Sequence, residues 1–433
     1  MTSLQVPALS EAGTALCLVC ILLVPLSGAG LAIINTGLGR SRSAAHSMLA
    51  SLCVVAVAAL VYFICGFAFQ GYLGRPAHIL TLAGKGWSWI AAGPLFLQGL
   101  KLDGSPDSLA AWLQMLSVGL AALIPLGSGA DRWRLPAICA STALLAGVTY
   151  PVFAHWVWGG GWLAQLGANY GLGRGFVDAG GGSSIQAVGG LTALSIAWIV
   201  GPRRGKYSPD GMPTAIPGHN AVQVLLGCVL TLVGWLGLNS AGAILFTGIA
   251  PTGTVLVAVN TALSASVAAL AAVMITRMRF GKPDASLVAN GWVSGLVASS
   301  AGCASVTPAA AVFIGLVAGV LITFSVELLE ARLAVDDPGG AVSVHAAAGI
   351  WGVLALGFVA SSGAAGQWLA QLVGIATLLG FVLPLTYGLN WLLDRFLPQR
   401  APLEGERLGM DVYELGASAY PEFVTHTEEF IPR

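Results

Sequence analysis

Few side chains in this sequence combine an acid, a base or an amide with a setting in which they could act. Four of them sit in two matching segments. Asp178-Ala-Gly-Gly-Gly-Ser-Ser-Ile-Gln-Ala-Val-Gly-Gly-Leu and Asp337-Pro-Gly-Gly-Ala-Val-Ser-Val-His-Ala-Ala-Ala-Gly-Ile share, without gaps, Asp, Gly-Gly, Ser, Ala and a later Gly. Gln186 and His345 each fall eight residues after their Asp. A carboxylate that opens a helix accepts from the unpaired N–H groups of the first turn and complements the dipole there. Asp178, where the fifth helix begins, therefore reads as a cap that also projects a negative field. A glutamine amide both donates and accepts, and an imidazole does either according to where its proton sits. Cys17 and Cys20 form a C-x-x-C, a spacing used elsewhere for redox or metal chemistry. With no acidic or histidine partner nearby they read as packing residues, and no metal or cofactor is expected.

The elements that hold these residues follow from composition. Of 433 residues, 56% are apolar and 9% charged, against about 25% charged in a soluble domain. So few charges cannot coat a globule of this size in water, and the natural solvent is a lipid bilayer. Net charge is zero, which offers nothing to nucleic acid. The 58 glycines lie inside apolar runs, where small residues let helices approach closely. The first thirteen residues carry no Lys or Arg, and the apolar run after them is too long for a cleaved leader.

A spanning helix needs about 20 mainly apolar residues. That rule places eleven helices at about 14–36, 44–70, 108–128, 135–156, 181–201, 219–242, 252–276, 286–302, 306–329, 341–361 and 367–394. The expected fold is an all-α membrane protein, with a short segment 1–13 before it and a tail 395–433 after it. The stretch Pro76–Leu100 is interrupted by Lys85, Gly86, Gly93 and Pro94, and reads as an ordered loop outside the membrane. With eleven crossings, 15 Lys and Arg fall on one side and four on the other. The positive-inside rule then puts the N-terminus outside and the C-terminus in the cytoplasm. The helices that open at Asp178 and Asp337 enter from opposite faces. That is the signature of a five-plus-five inverted repeat with a substrate site between the halves, the eleventh helix lying outside it. His345 is then the only histidine deep in a span, and an ionisable group there marks function by default.

Several motifs resemble those of the ammonium transporter (Amt/Mep/Rh) family, from about residue 14 to 420. They are Asn290-Gly-Trp-Val-Ser-Gly-Leu-Val-Ala-Ser-Ser-Ala-Gly-Cys-Ala-Ser-Val-Thr-Pro308, Asp336-Asp337-Pro338 with Val344-His345 and Gly349-Ile350-Trp351, His155-Trp-Val-Trp158-Gly-Gly-Gly-Trp162, and Gly234-Trp-Leu-Gly-Leu-Asn239. Trp158 and the tail favour the Amt/Mep branch. The resemblance implies a homotrimer in the inner (plasma) membrane, with a narrow apolar pore in each subunit. It implies an outer vestibule that recruits ammonium, a pore that passes ammonia, and no enzymatic activity.

That division of labour has a physical reason. A bare cation in hydrocarbon costs several kcal/mol even after relaxation, and neutral ammonia costs far less. The resemblance gives Trp158 and Asp178 the vestibule, with the indole face offering a cation about 0.5–2 kcal/mol. It gives Gln186 and His345 the pore. Other positions depart from the family pattern. Two histidines usually line the pore, but Gln186 stands at the first and cannot titrate near neutral pH. Two phenylalanines usually gate the mouth, but Ser117 and Leu238 stand there, beside Asn239. A vestibule serine is Gly242 here, with Ser240 near. Losing the aromatic gate should widen or wet the entrance.

In the tail, Gly409-Met-Asp411-Val-Tyr-Glu-Leu-Gly416-Ala-Ser-Ala-Tyr420 resembles the family's regulatory motif, with Leu415 and Ala417 replacing His and Glu. The resemblance implies docking on the cytoplasmic face and a PII-type signalling partner. Three readings follow: a conducting ammonium transporter, an ammonium-binding sensor that conducts little, and a transporter of another small neutral or weakly basic solute.

Overall fold

A computed structural model describes residues 9–72, 76–360 and 364–423. Segment 1–8, Arg75 and Arg433 lie outside the described residues, so the expected N-terminal segment is covered only from Leu9. Helices run over α1 (Glu11–Leu38), α2 (Ser41–Gln70), α3 (Pro106–Gly129), α4 (Leu135–Val157), α5 (Gly182–Val200), α6 (Ala221–Thr247), α7 (Pro251–Phe280), α8 (Ala285–Ser300), α9 (Pro308–Leu333), α10 (Val342–Val359) and α11 (Gln367–Phe396). Among the described residues, ten of these are long and apolar enough to cross a membrane. The exception is α8, expected over 286–302. It has 16 residues, about 24 Å at 1.5 Å per residue. It ends in turns at Ala301–Ser305, and its second half is buried among its neighbours.

Local chemistry sets the helix starts. The side chains of Ser10, Ser105, Asn220, Asp284 and Thr307 each accept from a first-turn N–H. Pro106 and Pro308 sit in first turns, where a missing N–H costs nothing.

The fold is not wholly helical. The segment expected as a loop forms an antiparallel hairpin, β1 (Ala77–Leu82) and β2 (Lys85–Ala91). Strand pairing satisfies its backbone groups, which the interruptions at Lys85 and Gly86 deny to a helix. Ser88 ties the hairpin to α4 through the His155 Nε2 at 2.9 Å, and Trp156 donates its indole N–H to the Trp89 carbonyl at 2.6 Å.

The two matching segments have matching structures. Asp178 accepts from the N–H groups of Gly181, Gly182, Ser183 and Ser184, and Asp337 from those of Ala341 and Val342. Gly181 (φ 86°) and Gly340 (φ 65°) turn the chain in the left-handed region open to glycine. Each segment then makes a π-turn, Gly182–Ala187 and Val342–Ala347, before continuing as an α-helix. Flanking contacts repeat as well. Gly180 donates to the Ser300 carbonyl and abuts the Asn239 side chain; Gly339 donates to the Gly127 carbonyl and abuts the Asn35 side chain.

These half-helices cross backbone to backbone. A Cβ at Gly190 would collide with the Ala346 backbone, and one at Gly349 would stand 2.6 Å from the Gly182 carbonyl oxygen. The helices α1 and α6 cross in the same reciprocal way: a Cβ at Gly30 would lie 2.6 Å from the Gly227 carbonyl oxygen, and one at Gly227 2.7 Å from that of Gly30.

This geometry predicts the effect of a single added side chain. Gly349→Val should destabilise the protein by about 1–3 kcal/mol or more, since the obstructing atoms are backbone. Thermal unfolding in detergent should show the loss, whereas Gly388→Ala on α11, where a Cβ meets open space, should leave the transition unchanged.

Candidate functional site

The crossing places Gln186 and His345 in contact. The His345 Nδ1 lies 2.7 Å from the Gln186 Oε1, with both residues buried. An amide oxygen only accepts, so this bond puts the imidazole proton on Nδ1 and leaves a lone pair on Nε2. The Gln186 Nε2 is buried without a hydrogen-bond partner. The pair therefore holds one spare amide donor and one imidazole acceptor at the centre of the pseudo-repeat.

Toward the end of α4, Trp158 donates its indole N–H to the Asp178 backbone carbonyl at 2.7 Å. Phe246 of α6 stacks on the indole, with centroids 4.6 Å apart and an angle of 16°. The Asp178 carboxylate is fully engaged: beside its four N–H bonds it accepts from the Ser183 hydroxyl at 2.5 Å and that of Ser184 at 3.3 Å. Two glutamines of α11 fix the chain that leads to it. Gln367 accepts from Arg174 N and donates to the Gly175 carbonyl; Gln371 accepts from Val177 N and donates to its carbonyl.

The remaining expected site residues are buried, but their bonds run to neighbours other than the Gln186–His345 pair. Ser117 donates to the Leu113 carbonyl. Leu238 lies in the apolar core. Asn239 donates to the hydroxyls of Thr261 and Ser299 at 2.9 and 3.4 Å. Ser240 is buried on α6. At Gly242 a Cβ would collide with the Ala179 carbonyl, so the missing hydroxyl is matched by a close backbone approach. Trp158 keeps aromatic cover: Phe246, about two turns beyond Leu238 on α6, stacks on it. Its spacing from Leu238 on one apolar helix was the available signal. Gln114 was also missed, a buried amide on α3 that accepts from the Tyr150 hydroxyl.

On the opposite side lies a buried ionic knot. The Arg203 guanidinium grips Asp336 through Nε at 2.9 Å and Nη2 at 3.0 Å, and reaches Asp131 at 3.2 Å. Arg132, wholly buried, donates to the carbonyls of Gly201 and Asp336 at 2.6 and 2.9 Å. Burial pushes the Asp336 carboxyl up, but the Arg203 bonds and the nearby Arg132 outweigh it and hold it below the usual carboxylate range. Burial lowers Arg132 to about 10, still charged at neutral pH.

The tail is packed against this side. Gln399 accepts from the Trp133 indole at 3.0 Å, and Ala401 N donates to the Arg132 carbonyl at 2.8 Å. Asp411 accepts from Ala45 N at 3.2 Å and His46 N at 2.8 Å, in the first turn of the α-helical part of α2. Glu414 accepts from Leu135 N, the first residue of α4, at 2.9 Å and meets the His46 ring at 2.8 Å. Neither helix start has a cap bond from its own preceding residue. Gly409 (φ 96°) and Gly416 (φ 72°) turn the tail, and Tyr420 lies 3.1 Å from the His219 ring.

Among known proteins, the Ammonium Transporter Family matches residues 15–420. The chain is 35% identical to the ammonium transporter Amt2 of Archaeoglobus fulgidus, across 95% of this chain and 89% of that protein. It is 31% identical to the Bacillus subtilis ammonium transporter, across 93% and 97%. Among solved structures, a "Sensor Amt Protein" superposes with a TM-score of 0.83 at 28% identity, covering 93% of this chain and 98% of that one. Candida albicans Mep2 gives 0.79 at 22% identity, covering 98% and 93%, which shows the shared fold.

Two outcomes follow for the charged side. Asp336→Ala takes the shared carboxylate from two buried guanidinium groups, leaving Arg203 only Asp131, and should cost about 3–5 kcal/mol, visible as a fall in melting temperature. For the tail, burial raises Glu414, but its bonds to His46 and Leu135 N, with Arg134 nearby, hold it below the ordinary glutamate value. Its contribution is therefore present above that ordinary value and is lost as pH falls through the lowered one. Limited proteolysis between residues 396 and 423 should stay slow at neutral pH and accelerate only in acid, while Glu414→Ala should accelerate it at pH 7.

Proposed function

The chain belongs to the ammonium transporter family and is a multi-pass membrane protein, and on that premise we propose that it moves ammonium nitrogen as neutral ammonia between its two halves. The reading is supported above all by the Gln186–His345 contact at 2.7 Å. The spare Gln186 N–H suits the lone pair of ammonia, and the His345 Nε2 suits one of its N–H groups. A pair offering one donor and one acceptor solvates a neutral amine, but gives an ammonium ion only one acceptor and one repelling donor. Trp158 and Asp178 recruit the cation outside, where ammonium gives up its proton. Gln186 cannot carry that proton along the pair, so transport through this pair is of ammonia alone.

In this reading α8, with the turns that follow it, is the eighth of eleven crossings, the N-terminus lies outside and the C-terminus in the cytoplasm. The Arg-rich knot and the tail share the side that the Lys and Arg count assigns to the cytoplasm. Ser117, Leu238 and Asn239 border the conduit from α3 and α6, and Ser240 and Gly242 border the vestibule. The homotrimer, the inner-membrane location and a PII-type partner for Gly409, Asp411, Gly416 and Tyr420 are carried by the family resemblance.

A second reading is an ammonium sensor that conducts little. It is favoured by Gln186 and by the fold shared with a protein described as a sensor. Reconstitution in liposomes separates the two. The parent should dissipate an ammonium gradient with a pH change and little current; no flux alongside retained ammonium binding would favour the sensor. Gln186→His should raise proton-coupled current severalfold, since a second titratable ring restores a relay. An unchanged current would place the proton route elsewhere.

A further inference from the structure

The two Asp-led segments match, but the residue before each Asp is held by a different device. Before Asp337 stands Asp336, gripped by Arg203. Before Asp178 stands Val177, and one side chain of α11 brackets both its backbone groups. The Gln371 Oε1 accepts from the Val177 N–H at 3.0 Å, and the Gln371 Nε2 donates to the Val177 carbonyl at 2.9 Å. One turn earlier, Gln367 treats the preceding chain alike. Its Oε1 accepts from Arg174 N at 3.0 Å and its Nε2 donates to the Gly175 carbonyl at 2.9 Å. The two glutamines also bond each other, Gln367 Nε2 to Gln371 Oε1 at 3.3 Å, and the Gln371 Nε2 reaches the Val353 carbonyl of α10 at 3.4 Å.

Three positions of α11 at i, i+4 and i+7, which share one face of a helix, thus lie against one stretch of chain. The third is Gly374, where an added Cβ would run into the Phe176 ring. Residues 171–177 form no helix or strand, and buried backbone groups need partners from somewhere. Gln371 is 0% exposed and Gln367 4%, an uncommon degree of burial for glutamine, and all four amide atoms are bonded. The device also has an electrostatic consequence. An arginine on the Val177 carbonyl would set a positive charge beside Asp178, whereas an amide satisfies the backbone without charge. The Asp178 carboxylate accepts from backbone N–H groups and hydroxyls, and none of these partners cancels its charge.

We propose that Gln371 is the positioning residue of the outer mouth: it fixes the backbone at Val177, and so sets where the Asp178 carboxylate stands and where the Asp178 carbonyl meets Trp158. The assignment rests on the transport reading above, and it gives α11, the helix outside the repeat, a part in transport. Gln371 acts through Val177 and Asp178 rather than on the substrate. Its loss frees Val177 to shift and misplaces the field at the entrance. The Gln186–His345 pair is held by the glycine crossing and stays in place. The signature is weaker capture of ammonium with maximal flux retained.

Ammonium-driven flux into proteoliposomes holding the full-length protein, measured against ammonium concentration at fixed pH, tests the assignment. Gln371→Met keeps the length of the side chain and removes both bonds to Val177. It should raise the half-saturating concentration roughly fivefold, the scale of one hydrogen bond, and leave maximal flux near that of the parent. Gln367→Met removes as many bonds to the same segment, but at Arg174 and Gly175, and should give a clearly smaller rise. Both variants should melt earlier than the parent. Gln371→Glu keeps an acceptor for the Val177 N–H and should lie between the parent and Gln371→Met. Half-saturation unchanged in Gln371→Met would overturn the proposal. So would equal rises in the two methionine variants, or a fall in maximal flux alone, since either marks a general structural role. A parent without ammonium-dependent flux would overturn the transport reading and this assignment with it.

Discussion

Everything at the centre of this molecule depends on two peptide backbones being allowed to touch. The half-helices that begin after Asp178 and Asp337 cross where Gly190 meets Ala346 and Gly349 meets Gly182. No side chain fits at those points. Because the backbones meet there, the residues one position before Ala187 and Ala346 meet as well, and these are Gln186 and His345. The π-turns help, since each inserts an extra residue per turn and re-aims the side chains it carries. Lipid tails are as apolar as the helices, so such close packing, rather than hydrophobic exclusion, holds the halves together.

Around that crossing, polarity is arranged by depth. On one side a carboxylate is spent on four backbone N–H groups and two hydroxyls, leaving its field but few free lone pairs. On the other, Asp337 plays the same capping part while Asp336 beside it binds Arg203 and Arg132. A buried ionic knot is weak support for stability in itself, because desolvation offsets the attraction. Its effect here is positional. Arg132 holds the carbonyls of Gly201 and Asp336 and, through its own carbonyl, Ala401 of the tail. The end of α5, the approach to α10 and the tail are thus held by one residue, the first two by its guanidinium and the tail by its backbone carbonyl.

Residue patterns made much of this legible, and the reasons for the gaps are physical. The shared spacing from Asp to Gln186 and His345 was readable because a close helix crossing leaves a record of glycines in both partners. Trp158 and Asp178 were readable from motif and helix start. The hairpin was not. Ile79, Leu80 and Leu82 of β1 are exposed, so the strand lacks the alternation that marks a half-buried sheet. Phe246 and Gln114 were missed because their meaning comes from neighbours on other helices. Asp411 was legible only through the tail motif's resemblance, since its partner at His46 lies 365 positions away, and no local pattern spans that distance. The helix α8 was placed within a few residues, although its length alone does not mark it as a crossing.

The tail's carboxylates complete two helices that the ribosome finished long before. The first turns of α2 and α4 receive Asp411 and Glu414 only when the stretch that follows α11 has emerged and folded back. Until then both helices sit in the bilayer with bare amide ends facing water. A chain truncated ahead of residue 411 would thus be inserted yet unfinished, and its frayed helix ends would distinguish it from the complete product.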